Sequence, residues 1–82
     1  MRYARAGMKR YMASAMRKAK FYELDATGWC ANIPRFHGLI GRGATKSACR
    51  MDLRKHLDNW VIENLERRDR LPVVDGLKLS MS

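Results

Sequence analysis

The stretch that decides the fold runs from Gly43 to Arg68, GATKSACRMDLRKHLDNWVIENLERR. It opens with a glycine and with Thr45, whose hydroxyl can accept from the orphan amides of a first helical turn. Some 24 residues without Gly or Pro follow. Cys49, Leu53, Leu57, Trp60, Val61 and Leu65 recur at helical spacing, while Lys46, Arg50, Arg54, Lys55, Asp58 and Arg67 fall mainly elsewhere. The spacing predicts one long amphipathic helix. A helix of that length, roughly 35 Å at 1.5 Å per residue, must lay its apolar stripe on a sheet. The preceding segment has to supply that sheet.

Reading backwards, Gly41 and Gly43 lead into the helix, and Leu39, Ile40 and Arg42 form a short strand. The two glycines are read as positions needing glycine's backbone freedom. Before them, Phe21, Tyr22 and Leu24 fit one strand, and Trp29, Ala31 and Ile33 alternate with Cys30 and Asn32 across another. Asp25-Ala26-Thr27-Gly28 between them has the residues of a tight turn, which predicts a β-hairpin. Pro34 ends the second strand because it has no amide hydrogen to give the ladder, and Pro34 to Gly38 makes a connecting loop. Met8, Tyr11, Met12, Ala15, Met16 and Ala19 mark an amphipathic helix over roughly 8 to 18, with the Met stripe packed on the domain or on a sister subunit. Beyond the long helix, Leu71-Pro72 marks a break. Leu77, Leu79 and Met81 then alternate with Lys78 and Ser80 as a final strand. The expected architecture is a two-layer α+β fold in the order α-β-β-β-α-β, with an antiparallel-rich sheet.

With 82 residues the chain makes one domain, residues 8–82, after a flexible basic N-terminus, residues 1–7. A core this small gains from self-association, so a homodimer is expected. No apolar run reaches the length of a membrane span, and Arg5, Lys9, Arg10, Arg17 and Lys18 interrupt any signal-peptide core, so the expected location is the cytoplasm. Cys30 and Cys49 have neither the number nor the spacing of a zinc site or a disulfide framework, and read as small buried hydrophobes. The net charge is +9, but it is uneven. Seven Lys or Arg and no acid precede Phe21, while ten basic residues face eight acidic ones after it. Such a basic arm can bind phosphate, meet an acidic partner or keep the chain soluble.

Motifs that carry chemistry are sparse. Gly38-Leu39-Ile40-Gly41 matches a G-x-x-G, but in a strand region rather than between two helices, and Gly41 to Lys46 lacks the Gly-Lys-Ser/Thr ending of a phosphate loop. Glu23 and Asp25 are spaced for one strand face, with no third ligand nearby. Neither His37 nor His56 has a nucleophile at a suggestive distance in sequence. No cofactor or metal motif is present, and the expected activity is binding rather than catalysis. Phe36, set in the loop between Pro34 and Gly38, is the aromatic expected to be exposed.

In the order and spacing of its motifs the chain resembles the short, one-domain members of the HicB family of bacterial antitoxins. The matching residues are Tyr22, Leu24, Gly28 and Trp29, then Ile33-Pro34 and Gly38, then Gly43-x-Thr45. Ala48, Leu53, Leu57-Asp58-Asn59-Trp60-Val61, Leu71-Pro72 and Gly76 complete the pattern, with an Ala15-Met16 helix ahead of it. The resemblance implies a fold likened to double-stranded-RNA-binding domains and an activity of capping a HicA-type toxin, a small ribonuclease that cleaves messenger RNA. Longer members carry a DNA-binding segment after this domain, which is not expected here. Lys46 and Ser47 depart from the acidic residues frequent after the capping Thr. Arg35, Phe36, His37 and Arg42 are the candidate partner contacts. The alternative is a basic RNA-binding module that grips phosphates through Arg10, Arg17 and Lys18.

Overall fold

A computed structural model of the protein describes residues 7–26 and 28–79. The elements run α1 (Gly7–Arg17), β1 (Lys20–Leu24), β2 (Gly28–Asn32), β3 (Ile40–Gly43) and α2 (Lys46–Glu66). The strands form one antiparallel sheet in the order β1-β2-β3, and the fold is α+β as expected. Residues 1–6 of the basic N-terminus and Ser80 and Met81 of the expected last strand lie outside the described residues.

Thr45 caps α2 from an extended backbone, its hydroxyl accepting from the Ala48 amide at 3.0 Å. Cys49, Leu53, Leu57 and Val61 follow at four-residue steps and are completely buried, with Trp60 and Leu65 half-buried beside them. This narrow seam lies directly on β3, which Gly41 and Gly43 make possible. A Cβ on Gly41 would stand 2.6 Å from the Leu53 Cβ, and one on Gly43 would stand 2.4 Å from the Cys49 amide nitrogen. Neither glycine has a positive φ. The two are therefore required for close approach rather than for the backbone freedom expected of them. Lys46 in the first turn of α2, at the helix end that favours anions, rests its ammonium over the rings of Phe21 and Trp29 at 5.3 and 5.8 Å.

Tyr11, Met12, Ala15 and Met16 of α1 enter the same core, so Met12 and Met16 are spent within this chain. Beyond α2 the expected final strand is absent among the described residues. Val74 and Leu77 bridge only each other, across a turn in which Asp75 and Gly76 have φ of 48° and 74°. The alternation of Leu77 and Leu79 reflects anchoring in the core, where Leu71, Val74 and Leu77 are buried and Leu79 packs against them. Among the described residues no helix is long and apolar enough to cross a membrane.

Candidate binding face

Strand alternation divides the sheet into two faces. Ala31 and Gly41 meet α2 and the core. Lys20, Tyr22 and Leu24 of β1, Cys30 and Asn32 of β2, and Ile40 and Arg42 of β3 share the opposite face by register. No helix among the described residues covers that side. Tyr22, Leu24 and Ile40 on this face remain 49%, 37% and 48% exposed. The charged side chains on this face, Lys20 and Arg42, are both cationic.

The loop after β2 closes one end of the face. Phe36 holds it down: the ring is only 2% exposed and packs between Tyr11 of α1 and Trp60 of α2, with ring centroids 6.3 and 4.9 Å away. The Trp60 indole N–H donates to the His37 carbonyl at 3.0 Å, leaving the His37 side chain outside. Arg35 has a φ of 76°, and its guanidinium donates to the Val73 carbonyl at 3.0 Å. A concavity of about 510 Å³ runs beneath the loop onto the open face, lined among others by Tyr22, Cys30, Asn32, Arg35, His37 and Ile40. Within it the buried Oδ1 of Asn32 has no hydrogen-bond partner among the described residues.

Arg35, Phe36 and His37 thus come together at one concavity, and Arg42 lies on the adjoining sheet face beside Cys30. Phe36 corrects the expectation of an exposed contact: it plugs the gap between the two helices and touches the site only from behind. Arg10, Arg17 and Lys18 do not form a free basic row. Arg17 and Lys18 bind the Asp75 carboxylate at 3.2 and 3.0 Å and tie α1 to the last turn, while Arg10 stays exposed. The hydrogen bond from Lys18, more than any other contact, holds the Asp75 carboxyl below the usual carboxylate range. Tyr22, Cys30, Asn32 and Ile40 were not anticipated as site residues. Their signal was the strand phase itself, which puts Tyr22 opposite Phe21 and exposes Cys30 partly instead of burying it. Cys49 is the buried thiol, and burial pushes its pKa up.

The fold is shared with a solved structure, that of TTHA0281 from Thermus thermophilus. The two match with a TM-score of 0.83 over 93% of this chain and 99% of that one, at 24% sequence identity. No curated protein sequence matches the chain. The UPF0150-like family model matches residues 10–72, a span that takes in most of α1, all three strands, the Phe36 loop and the whole of α2, and the chain belongs to that family.

Proposed function

We propose that this protein is a HicB-like antitoxin that binds a HicA-type toxin and masks it sterically. Membership of the UPF0150-like family is compatible with a HicB-like, toxin–antitoxin-related role. The observation that carries the binding reading is the open sheet face: exposed Tyr22, Leu24 and Ile40, with cations at Lys20, Arg35 and Arg42 around them. Interfaces are anchored by aromatic residues in desolvated centres with a polar rim, and this face has that composition. Carboxylates are expected on the toxin surface opposite Arg35 and Arg42. Masking needs no chemistry from this chain, and so it acts stoichiometrically.

The test expresses the open reading frame next to this gene, which is expected to encode a small ribonuclease, and assays its product on messenger RNA. Cleavage should fall in proportion to added protein and stop near an equimolar ratio. Undiminished cleavage in the presence of excess protein overturns the reading. Binding of the RNA itself by this protein, lost steeply as salt rises, would replace it with the RNA-binding alternative.

A further inference from the structure

The two edges of the sheet are finished differently. At the β3 edge, the outward amide of Arg42 donates to the Asp52 carboxylate at 2.9 Å, and the outward carbonyl of Ile40 accepts from the His56 Nδ1–H at 2.8 Å. Side chains of α2 therefore close that edge to any further strand. Because the backbone groups of Ile40 and Arg42 point away from β2, the alternation of antiparallel ladders turns those of Lys20, Tyr22 and Leu24 towards β2, and those of Phe21 and Glu23 outwards at the β1 edge. Among the described residues, nothing bonds those outward groups. Among the described residues β1 carries no proline, bulge or covering helix; the edge defences it does have are the charges of Lys20 and Glu23, which are of opposite sign.

We infer that β1 pairs antiparallel with β1 of a second copy, joining two sheets into one of six strands with Tyr22 on the two-fold axis. In that register Phe21 faces Glu23 of the second copy through hydrogen-bonded backbones. Tyr22 faces Tyr22, and Lys20 faces Leu24. No like charges oppose each other. On the open face the two tyrosines and the two leucines merge into one apolar patch, a favourable cross-strand arrangement. On the helix face the carboxylate of Glu23 reaches the second copy's Phe21, over which that copy's Lys46 ammonium already sits. Glu23 forms no ion pair within its own chain among the described residues, although its own Lys46 sits over the ring of its cross-strand neighbour Trp29; Lys46 of the second copy, over the Phe21 that Glu23 faces, adds a second cation, twice by symmetry. Pairing of the open faces themselves would instead stack Lys20, Arg35 and Arg42 of both copies together, which is why the edge and not the face is assigned to self-association. The dimer leaves both concavities accessible on one side of the extended sheet.

The full chain in a Cys30→Ala background tests this register. Tyr22→Cys should form a covalent dimer on mild oxidation, because residues on the axis form a close, non-hydrogen-bonded pair within disulfide reach. Leu24→Cys should not, since its counterpart lies about 13 Å along the strand, four residues of about 3.3 Å each. Sedimentation equilibrium of the unmodified protein should show a reversible dimer. Glu23→Lys should weaken it about tenfold or more, and adding Lys46→Glu should restore it, corresponding to about 1.4 kcal/mol for each tenfold change. Both positions are exposed, and unchanged circular dichroism separates lost association from lost folding. A monomer at every concentration, equal cross-linking through Leu24→Cys, or a dimer indifferent to Glu23→Lys each overturns the proposal.

Discussion

Phe36 and Tyr11 bear more of this structure than their places in the sequence suggest. A lone aromatic between Pro34 and Gly38 reads as a loop contact, since no periodicity extends through the loop. What buries it is the meeting of Tyr11 and Trp60 from two helices distant in sequence. Phe36→Ala should therefore destabilise the fold by about 3–5 kcal/mol, the usual cost of an emptied aromatic site. Arg35→Ala, an exposed neighbour, should cost far less; urea denaturation distinguishes them. The Tyr11 hydroxyl donates to the Pro72 carbonyl, and burial pushes its pKa up to about 12, partly opposed by the Arg35 charge. The native state thus holds this proton more tightly than the unfolded chain, whose tyrosine titrates near 10. The stabilisation is complete below about pH 10 and disappears as pH rises towards 12, an effect on the order of 2–3 kcal/mol. Stability curves from about pH 9 to 12 should slope downwards for the natural protein and flatten at that step in Tyr11→Phe.

Among the elements, α2 was legible because cap, period and absence of breakers all agree over its length. The β1–β2 hairpin was legible for the same reason. Among the described residues the expected last strand does not form, because alternation of Leu77 and Leu79 records burial, not ladder pairing; Val74 and Leu77 satisfy their backbones with each other across Asp75-Gly76. The Gly41-x-Gly43 signal was seen, but its cause lies in a helix that arrives later in the chain. Gly41→Ala should push Leu53 away from β3, cost about 1–3 kcal/mol, and loosen the Asp52 and His56 bonds that finish the strand edge. Hydrogen exchange at the Arg42 amide reads this directly. It should accelerate in Gly41→Ala relative to the natural protein.

For the whole molecule, charge is the quantity that sequence describes least well. The +9 excess suggested a basic arm, yet Arg17 and Lys18 fold back on Asp75, Lys46 lies on two aromatic rings, and the cations that frame the open face come from β1, β3 and the loop. One helix layer covers one side of the sheet and leaves the other bare, so the described residues present a single large surface that they do not themselves complete. The most direct test is calorimetric titration of the product of the neighbouring reading frame, the expected ribonuclease, into this protein and into its Arg35→Glu/Arg42→Glu variant. Binding to the natural protein should be equimolar, and the folded variant should lose about tenfold or more in affinity. Equal affinity for both, or no binding to either, would contradict the assignment of the open sheet face as the toxin-masking surface.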